Sequence, residues 1–585
     1  MNQSTNLTLA QYRGLLIHYI KPLWRRTLLL AFILLASLSL DLYAPQVMRK
    51  FIDATLAGAA LNRLVDLALI FLAVTVANQL VSVSEASLAA DVSLQATNQL
   101  RTDLTRHCLA LDLTFHNAHT PGELIERVDG DVGTLANFFS RFALHVLSST
   151  LLLVGVLTLF FVIDTQIGLT MLCFSGGFLW FLHKQHQFSV PHWVTIRQLW
   201  AATYGFLEER LSGLEDIRAN GAMDYVMRRY FEQGRRLFYG MMRAFLLVTG
   251  VSNLNGILLA AGAALALGLG IYRYTLGELS LGTVYLIFSY TQLLRRPLER
   301  ILDQIRDLGQ VAGSIVRIQS LFNTQSRISD GPGATLAAGA PAVAFDQVSF
   351  GYHANQLVLD NLSFALSPGA VLGLIGRTGS GKTTLSRLLF RLYDPTVGVV
   401  KLGGVDLRQA KVADLRRHVA LVPQEVHLFH ASLRHNLTLF DESIPDARIL
   451  EALGELELID WYRMLPNGLA TVLAAGGGGL SAGEAQLLAV ARVFLQDPGL
   501  VILDEASARL DPATERRLSR AIDRLLAGRT AIIIAHRLAT LQRADQIMIL
   551  ADGRMAEYGP RETLARNPAS RYAQLLQTGL YRSCE

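Results

Sequence analysis

Nine consecutive residues, Gly376 to Thr384, constrain the fold of this chain more than any other part of its sequence. They follow the apolar run from Val371 to Ile375 and precede leucines at helical spacing from Leu385 onward. A strand, a glycine-rich loop and a helix in this order are typical of a phosphate-binding loop. Its backbone N–H groups turn toward phosphate oxygens, and the helix N-terminus attracts their negative charge. The sequence therefore predicts a site for a nucleoside triphosphate.

Every residue of this P-loop is expected to contact the nucleotide: Gly376, Arg377, Thr378, Gly379, Ser380, Gly381, Lys382, Thr383 and Thr384. Among them, Lys382 would reach the β- and γ-phosphates, and the Thr383 hydroxyl would complete the shell of a Mg²⁺ ion. An ordinary glycine-rich turn is the alternative interpretation. The complete motif between a strand and a helix disfavours that alternative.

The first half of the chain carries apolar stretches long enough to cross a bilayer, for which about 20 residues suffice. We place six spans near residues 27–50, 64–87, 142–163, 165–186, 244–272 and 279–300. Charged residues make up 17% of the chain, whereas soluble domains carry about 25%. The net charge of +5 is spread over several loops. This balance favours a lipid bilayer as the partner and disfavours a nucleic acid.

The loops between the spans predict the orientation of the chain. The long polar segments 88–141 and 187–243 are rich in arginine, which places them and both termini in the cytoplasm of a multi-pass protein of the cell membrane. Residues Leu9 to Arg26 are predicted to form an interfacial helix before the first span. Helix-breaking patches at 120–132 and 213–221 would form short helices able to dock on a soluble domain.

Polar residues inside the spans are expensive unless they face protein or water. Asp41 falls deep in the first span, and Glu85 lies toward the cytoplasmic side of the second. Both interhelical hydrogen bonding and contact with a substrate remain open for these two residues. The three cysteines are widely separated, and their spacing predicts neither a metal site nor a disulfide framework.

Beyond residue 322 the composition changes. Residues 323–341 are mostly small and polar, as is typical of a linker. From 342 to 585, apolar runs of strand length alternate with helical patterns, which indicates an α/β domain with a largely parallel sheet. The predicted fold is therefore multi-domain, with an all-α six-helix transmembrane domain over 1–322 followed by an α/β P-loop ATPase domain.

Five further residues are expected to surround the P-loop. The ring of Tyr352 follows an alternating strand and would stack on adenine, and the Gln424 amide would reach Mg²⁺ or the attacking water. A buried strand ends in two carboxylates, of which Asp504 would hold Mg²⁺ and Glu505 would polarise the water. Another buried strand ends in His536, which would sense the γ-phosphate. We interpret Glu505, His536 and Gln424 as the catalytic set.

Together with the segment 480–484, these motifs resemble the ATPase domain of ABC transporters. The six-span half resembles exporters whose transmembrane helices extend deep into the cytoplasm. The resemblance implies an ATP-driven half-transporter that works with a second half-transporter by alternating access and moves a substrate out of the cytoplasm. It also implies that ATP lies between the P-loop of one subunit and the signature loop of the other. Ser481 and Gly483 would then contact nucleotide held by the partner.

The sequence departs from the family pattern at the signature and before it. Glu484 stands where the family usually has glutamine, which adds negative charge near phosphate, and Ala475 stands where exporters usually have glutamate. These departures favour a heterodimer of homologous chains over a homodimer. A mainly nucleotide-binding regulatory subunit with asymmetric ATP sites is the alternative function. The substrate stays open among lipids, drug-like molecules, peptides and small polar compounds.

Overall fold

The computed structural model describes residues 18–137, 143–353, 356–474, 480–504, 512–535 and 538–578. They form two compact units. The first unit comprises Met1–Leu109 and Pro121–Thr324, and the second comprises Ala110–Thr120 and Gln325–Glu585. The short piece Ala110–Thr120 therefore belongs to the second unit, although residues of the first unit flank it in the sequence.

Long helices dominate the described part of the first unit. In chain order, the helices up to residue 324 are α1 (Trp24–Leu56), α2 (Leu61–Ala110), α3 (Leu113–Ala118, in the second unit), α4 (Pro121–Ile125), α5 (Val132–Asn137), α6 (Ala143–Ile163), α7 (Thr165–Ser212), α8 (Leu214–Ala219), α9 (Met223–Thr275) and α10 (Leu281–Asn323). A π-helical turn, Glu126–Asp131, joins α4 to α5.

Five of these helices, α1, α2, α6, α7 and α9, are long and apolar enough to cross a membrane. They coincide with the first five predicted spans. Helix α10 covers the sixth, where Arg295 and Arg296 interrupt the apolar sequence. The predicted helical transmembrane unit is confirmed.

Helices α2, α7 and α9 contain 50, 48 and 53 residues, far more than the roughly 20 that a bilayer requires.

Polar side chains inside the spans pair with one another across helices. Asn78 Nδ2 donates to Asp41 Oδ1 at 2.7 Å, joining α2 to α1. Gln46 Nε2 donates to the hydroxyl of Tyr290 at 2.7 Å, and that hydroxyl donates to the carbonyl of Leu42 at 3.0 Å. Tyr290 is fully buried. These bonds satisfy polar groups that would be costly against lipid.

The two predicted helix-breaking patches both contain short helices. Helix α8 lies within the patch 213–221, and α4 with the π-helical turn lies within 120–132. Docking of these patches on a soluble domain stays a prediction. The segment that does pack within the second unit, Ala110–Thr120, precedes the first patch.

An ion pair with a buried carboxylate fixes the π-helical turn. The side chain of Asp131 is 4% exposed, and both of its oxygens accept hydrogen bonds from α10. Arg317 Nε donates to Oδ2 at 2.8 Å, and the Ser314 hydroxyl donates to Oδ1 at 2.8 Å. A second guanidinium nitrogen also contacts Oδ1. The hydrogen bonds from Arg317 to this carboxylate raise the pKa of the guanidinium, although partial burial acts in the opposite direction.

The second unit is an α/β fold. Its described strands are β1 (Val343–Phe350), β2 (Leu359–Leu366), β3 (Val371–Gly376), β4 (Val397–Leu402), β5 (Val405–Asp406), β6 (Val419–Val422), β7 (Ala431–Ser432), β8 (Val472–Leu473), β9 (Leu500–Asp504), β10 (Thr530–Ile534), β11 (Gln546–Ala551) and β12 (Arg554–Pro560). Its later helices are α11 (Lys382–Leu389), α12 (Val412–His418), α13 (Leu433–Thr438), α14 (Asp446–Glu455), α15 (Ile459–Arg463), α16 (Ala482–Gln496), α17 (Pro512–Leu526), α18 (Arg561–Arg566) and α19 (Arg571–Thr578).

The main sheet has the strand order β12-β11-β3-β10-β9-β6 among the described residues. Neighbours from β11 to β6 run parallel, and β12 is antiparallel to β11. Successive residues of β9 point into two separate hydrophobic cores, since Val501 and Leu503 belong to one core and Leu500 and Ile502 to the other. This sheet is therefore covered on both faces, as parallel sheets require. The predicted largely parallel α/β domain is confirmed.

Asp112 anchors α3 within the second unit. Its Oδ1 caps α3 by accepting from the backbone N–H groups of Thr114 at 2.8 Å and Phe115 at 3.2 Å. Its Oδ2 accepts from the N–H of Arg327 at 2.5 Å. Burial alone would raise the pKa of Asp112, but the N–H groups of Arg327, Phe115 and Thr114 lower it below its ordinary value of 3.8. At the other end of α3, Asn117 Nδ2 donates to the Tyr393 hydroxyl at 2.7 Å.

Replacing Asp112 with alanine is expected to lower the stability of the second unit by about 1 kcal/mol, because an N-cap is lost. Since the folded-state pKa lies below the unfolded value, the contribution of Asp112 is complete above about pH 5 and is lost as pH falls through the folded-state pKa. Thermal unfolding of the purified chain should therefore show the same decrement at pH 5.5 and pH 8. Asp112→Asn, which still caps a helix, should retain most of the stability. A decrement that differs between the two pH values would contradict this assignment.

Candidate nucleotide-binding site

The P-loop joins β3 to α11 at the centre of the main sheet, where β3 lies between β11 and β10. The loop requires glycine for two reasons, namely positive φ angles and a close approach of the backbone. Gly379 and Gly381 have φ angles of +83° and +103°, a region that side chains disfavour. A Cβ atom at Gly376 would lie 2.5 Å from the carbonyl oxygen of Leu550, so only glycine fits there. The loop can therefore curl back tightly over the end of its strand.

Lys382 occupies the first turn of α11 and is 6% exposed. Its Nζ donates to the carbonyl oxygens of Gly376 at 2.7 Å and Arg377 at 2.9 Å, so the amine spans the loop. The hydroxyl oxygen of Ser380 is buried and has no hydrogen-bond partner among the described residues. A buried cation and an unsatisfied hydroxyl inside a loop that closes at a helix N-terminus fit a bound phosphate group.

A cavity of about 560 Å³ opens beside the loop. Nine of the residues predicted from the sequence line it: Tyr352, Thr378, Gly379, Gly381, Lys382, Thr383, Thr384, Gln424 and Asp504. Val358, Arg387 and Ile534 line it as well and were not predicted. The structure thus brings together side chains that lie more than 150 residues apart in the sequence, from Tyr352 to Asp504.

Three oxygen-bearing side chains at this cavity have the chemistry of a magnesium site. Mg²⁺ prefers hard oxygen ligands and is commonly held by one or two protein groups together with phosphates and water. Thr383 offers a hydroxyl, Gln424 an amide oxygen, and Asp504 a carboxylate at the end of β9. These residues therefore fit the metal that the sequence predicts. The predicted catalytic residues Glu505 and His536 lie outside the described residues.

Tyr352 belongs to an aromatic cluster at the edge of the cavity. Its ring makes edge contacts with Phe350 and Tyr393, with centroids 5.1 Å and 5.2 Å apart. Arg387 donates to its hydroxyl at 3.0 Å, and that hydroxyl lies 3.1 Å from the hydroxyl of Thr384. Because Arg387 follows Thr384 by three residues, both side chains lie on one face of α11. That spacing could have identified Arg387 from the sequence.

The predicted signature residues Ser481 and Gly483 lie at the N-terminus of α16 and are not among the residues that line the cavity. Ser481 is the N-cap, and its hydroxyl accepts from the N–H of Glu484 at 3.2 Å. In return, Glu484 Oε2 accepts from the N–H of Ser481 at 2.7 Å. The serine-to-glutamate spacing of this capping box is visible in the sequence, and it predicts a structural role for Glu484 beyond its departure from the family pattern.

Helix α16 is also tied to the loop that carries Gln424. Gln486 Nε2 donates to the carbonyl oxygens of Gln424 at 2.6 Å and Pro423 at 3.3 Å. One turn and a half further on, Arg492 donates to the carbonyls of Asn436 at 2.6 Å and His427 at 3.0 Å. Burial lowers the pKa of Arg492. Neither Gln486 nor Arg492 was predicted, since nothing in the sequence shows which backbone carbonyls they meet.

The fold and the cavity define a class of protein, in which membrane-spanning helices are followed in the same chain by a P-loop nucleotide-binding domain. Comparison with known families identifies it further. Residues 27–298 match the ABC transporter transmembrane region, and residues 359–508 match the ABC transporter family itself. The chain therefore belongs to the ABC transporters and has the organisation of their exporter half-transporters.

Similar proteins span almost the whole chain. An uncharacterized ABC transporter ATP-binding protein of Bacillus subtilis is 28% identical over 95% of this chain and 91% of its own length. An ATP-dependent lipid A-core flippase of Sodalis glossinidius is 26% identical over 95% of this chain and 96% of its own length. The solved structure of a bacterial Atm1-family ABC exporter with ATP bound has the same fold, with a TM-score of 0.80 and 24% identity, and the match covers 96% of this chain and 99% of that one.

Proposed function

We propose that this chain hydrolyses ATP to drive export of a substrate from the cytoplasm. The observation that carries the proposal is the convergence of Lys382, Gln424 and Asp504 on one cavity, in a chain that also contains membrane-spanning helices. Lys382 would hold the β- and γ-phosphates, and Tyr352 would stack on adenine. Thr383, Gln424 and Asp504 would hold Mg²⁺, which when bound neutralises charge on the phosphate oxygens.

In the proposed reaction, Glu505 polarises the water that attacks the γ-phosphate, and His536 senses that phosphate. Ser481 and Gly483 act on the nucleotide of a second half-transporter, because they lie outside the cavity formed by their own P-loop. Closure of two such subunits on ATP would switch the spans from inward- to outward-facing, and hydrolysis would reset them. The positive charge of the long loops supports a cytoplasmic location for the ATPase domain.

A homologous chain is the partner we favour, since Glu484 departs from the usual signature of the family. A lipid is the first substrate to test, because four similar proteins are named as flippases of the lipid A core. The alternative of a mainly nucleotide-binding regulatory subunit is less favoured, because Gln424 and Asp504 line the same cavity as Lys382.

Glu505→Gln is expected to reduce ATP hydrolysis by about a hundredfold or more, because the group that polarises the water is lost while the nucleotide still binds. Turnover should be measured in lipid bilayers for the chain alone and together with a co-expressed homologue. Retained binding of ATP by the variant serves as the control. If the variant hydrolysed ATP at the wild-type rate in both preparations, Glu505 would not be the catalytic carboxylate. Turnover that occurs only with the homologue and is unchanged by Glu505→Gln would instead support the regulatory alternative.

A further inference from the structure

Both oxygens of the Glu484 carboxylate accept hydrogen bonds from groups of the same chain. Its Oε2 accepts from the backbone N–H of Ser481 at 2.7 Å, within the capping box of α16. Its Oε1 accepts from the indole nitrogen of Trp461 at 2.9 Å. Each oxygen of the carboxylate therefore has one N–H donor, and the side chain is fixed from two sides.

Trp461 is well placed to act as an anchor. It lies on α15, is 8% exposed, and packs in the same hydrophobic core as Leu487 and Leu488 of α16. A buried indole N–H needs an acceptor, since leaving it unpaired costs free energy. Glu484 supplies that acceptor, so one hydrogen bond satisfies both the indole N–H and an oxygen of the carboxylate. The position of the indole is set by core packing, and it determines where Oε1 can lie.

The direction in which Glu484 points has an electrostatic consequence. A carboxylate at the N-terminus of a helix is favourable for that helix, and hydrogen bonds to a charged acceptor are stronger than neutral ones. A carboxylate facing the phosphates of a nucleotide would instead repel them. A glutamate next to Ser481 and Gly483 could point toward its own helix or toward the phosphates. The hydrogen bond from Trp461 favours the orientation toward the helix.

We propose that Trp461 is a positioning residue for the signature loop. Its indole N–H holds the Glu484 carboxylate against α16, so that Ser481 and Gly483 are presented to the partner's nucleotide without a negative charge beside the phosphates. This inference rests on the proposed function, in which the signature loop acts on ATP bound by a second subunit. In this role, Trp461 keeps the charge of Glu484 away from the phosphates, so that a glutamate can replace the usual glutamine.

The test is a double-variant cycle on the whole transporter in lipid bilayers, with KM for ATP as the readout. Trp461→Phe removes the N–H but keeps an aromatic ring, and it should raise KM about three- to tenfold, as one partly solvated charge near the phosphates would. The value of kcat at saturating ATP should change less. In the Glu484→Gln background, the same substitution should change KM by less than about twofold, since no charge is released.

The Glu484→Gln background controls for packing, because the Trp461→Phe cavity is the same in both backgrounds. The rise in KM should also shrink at high salt, which screens charges but does not repair a cavity. Glu484→Asp keeps the charge on a shorter side chain that cannot reach the indole, and it should raise KM as Trp461→Phe does. This variant leaves the core intact and so remains informative if Trp461→Phe does not fold.

An equal rise of KM in both backgrounds would make Trp461 a packing residue only and would overturn the inference. An unchanged KM in Trp461→Phe or in Glu484→Asp would overturn it as well. Failure of the proposed function has a different outcome, namely that the wild-type transporter hydrolyses no ATP with any homologue. If the wild type hydrolysed ATP but the substitutions left KM for ATP unchanged, only the role of Trp461 would be contradicted, and the proposed function would stand.

Discussion

Replacement of Lys382 by alanine is expected to abolish ATP turnover, with a loss of about a hundredfold to a thousandfold or more. The amine is buried and bridges two carbonyls of the P-loop, Gly376 and Arg377. This bridge fixes the amine at the loop, and among the described residues Lys382 is the lysine that lines the cavity. The variant loses both the charge that faces the phosphates and the bridge that shapes the loop. Binding of ATP should weaken along with hydrolysis.

The measurement is ATP hydrolysis in bilayers by the purified chain, alone and together with a co-expressed homologue, accompanied by nucleotide-binding titrations. Lys411→Ala provides a matched control, because it removes an exposed lysine of the same unit that does not line the cavity. This control should hydrolyse ATP at the wild-type rate. Substantial turnover by Lys382→Ala would show that the cavity beside the P-loop is not the hydrolytic site.

The second large effect is expected in the first unit. Arg317→Ala should lower its stability by about 2–3 kcal/mol, because Asp131 keeps a buried charge and loses its cationic partner. The side chain of Arg317 is itself 52% exposed, whereas that of Asp131 is 4% exposed. The cost therefore falls mainly on the carboxylate that remains. The Ser314 hydroxyl alone cannot replace two guanidinium donors.

Thermal unfolding in detergent tests this expectation against an exposed ion pair of the same unit. Arg229 and Glu232 pair on α9 at 3.0 Å, outside the predicted spans, and both side chains are exposed. Arg229→Ala should therefore cost less than about 1 kcal/mol. The double variant Asp131→Asn/Arg317→Ala should be more stable than Arg317→Ala, since it removes the unpaired charge. If the double variant were less stable than the single one, burial of the Asp131 charge would not explain the effect.

Local patterns explain why much of the fold could be predicted. The predicted spans could be recognised because apolar stretches of that length have few alternatives to a membrane helix. The strands β3, β9 and β10 could be recognised because a parallel sheet covered on both faces is continuously apolar. The P-loop needs glycine at particular φ angles, so its sequence carries its shape. The convergence of Gln424 and Asp504 on the cavity follows from the parallel order of β6, β9 and β10.

Contacts that depend on the direction of a side chain could not be predicted. The sequence placed Glu484 near phosphate, yet its carboxylate turns back to Trp461, 23 residues earlier in the chain. The bonds of Gln486 reach backbone carbonyls, which every residue has.

The linker prediction for 323–341 rests on its small polar residues, and this composition does not show which of them bond to the second unit. Arg327 of that stretch donates its N–H to Asp112, and Val412 donates to the carboxylate of Asp330 at 2.9 Å.

The packing of Ala110–Thr120 within the second unit bears on how the nucleotide-binding half should be isolated. A recombinant fragment that starts at residue 325 would lack α3, which packs within this unit although it comes from an earlier stretch of the chain. The hydroxyl of Tyr393 would lose Asn117, and the N–H of Arg327 would lose the Asp112 carboxylate. Because Tyr393 packs on the ring of Tyr352, such a fragment would be altered next to the residue that we propose stacks on adenine. Adding residues 110–120 as a separate peptide should restore the missing piece and raise the fragment's melting temperature.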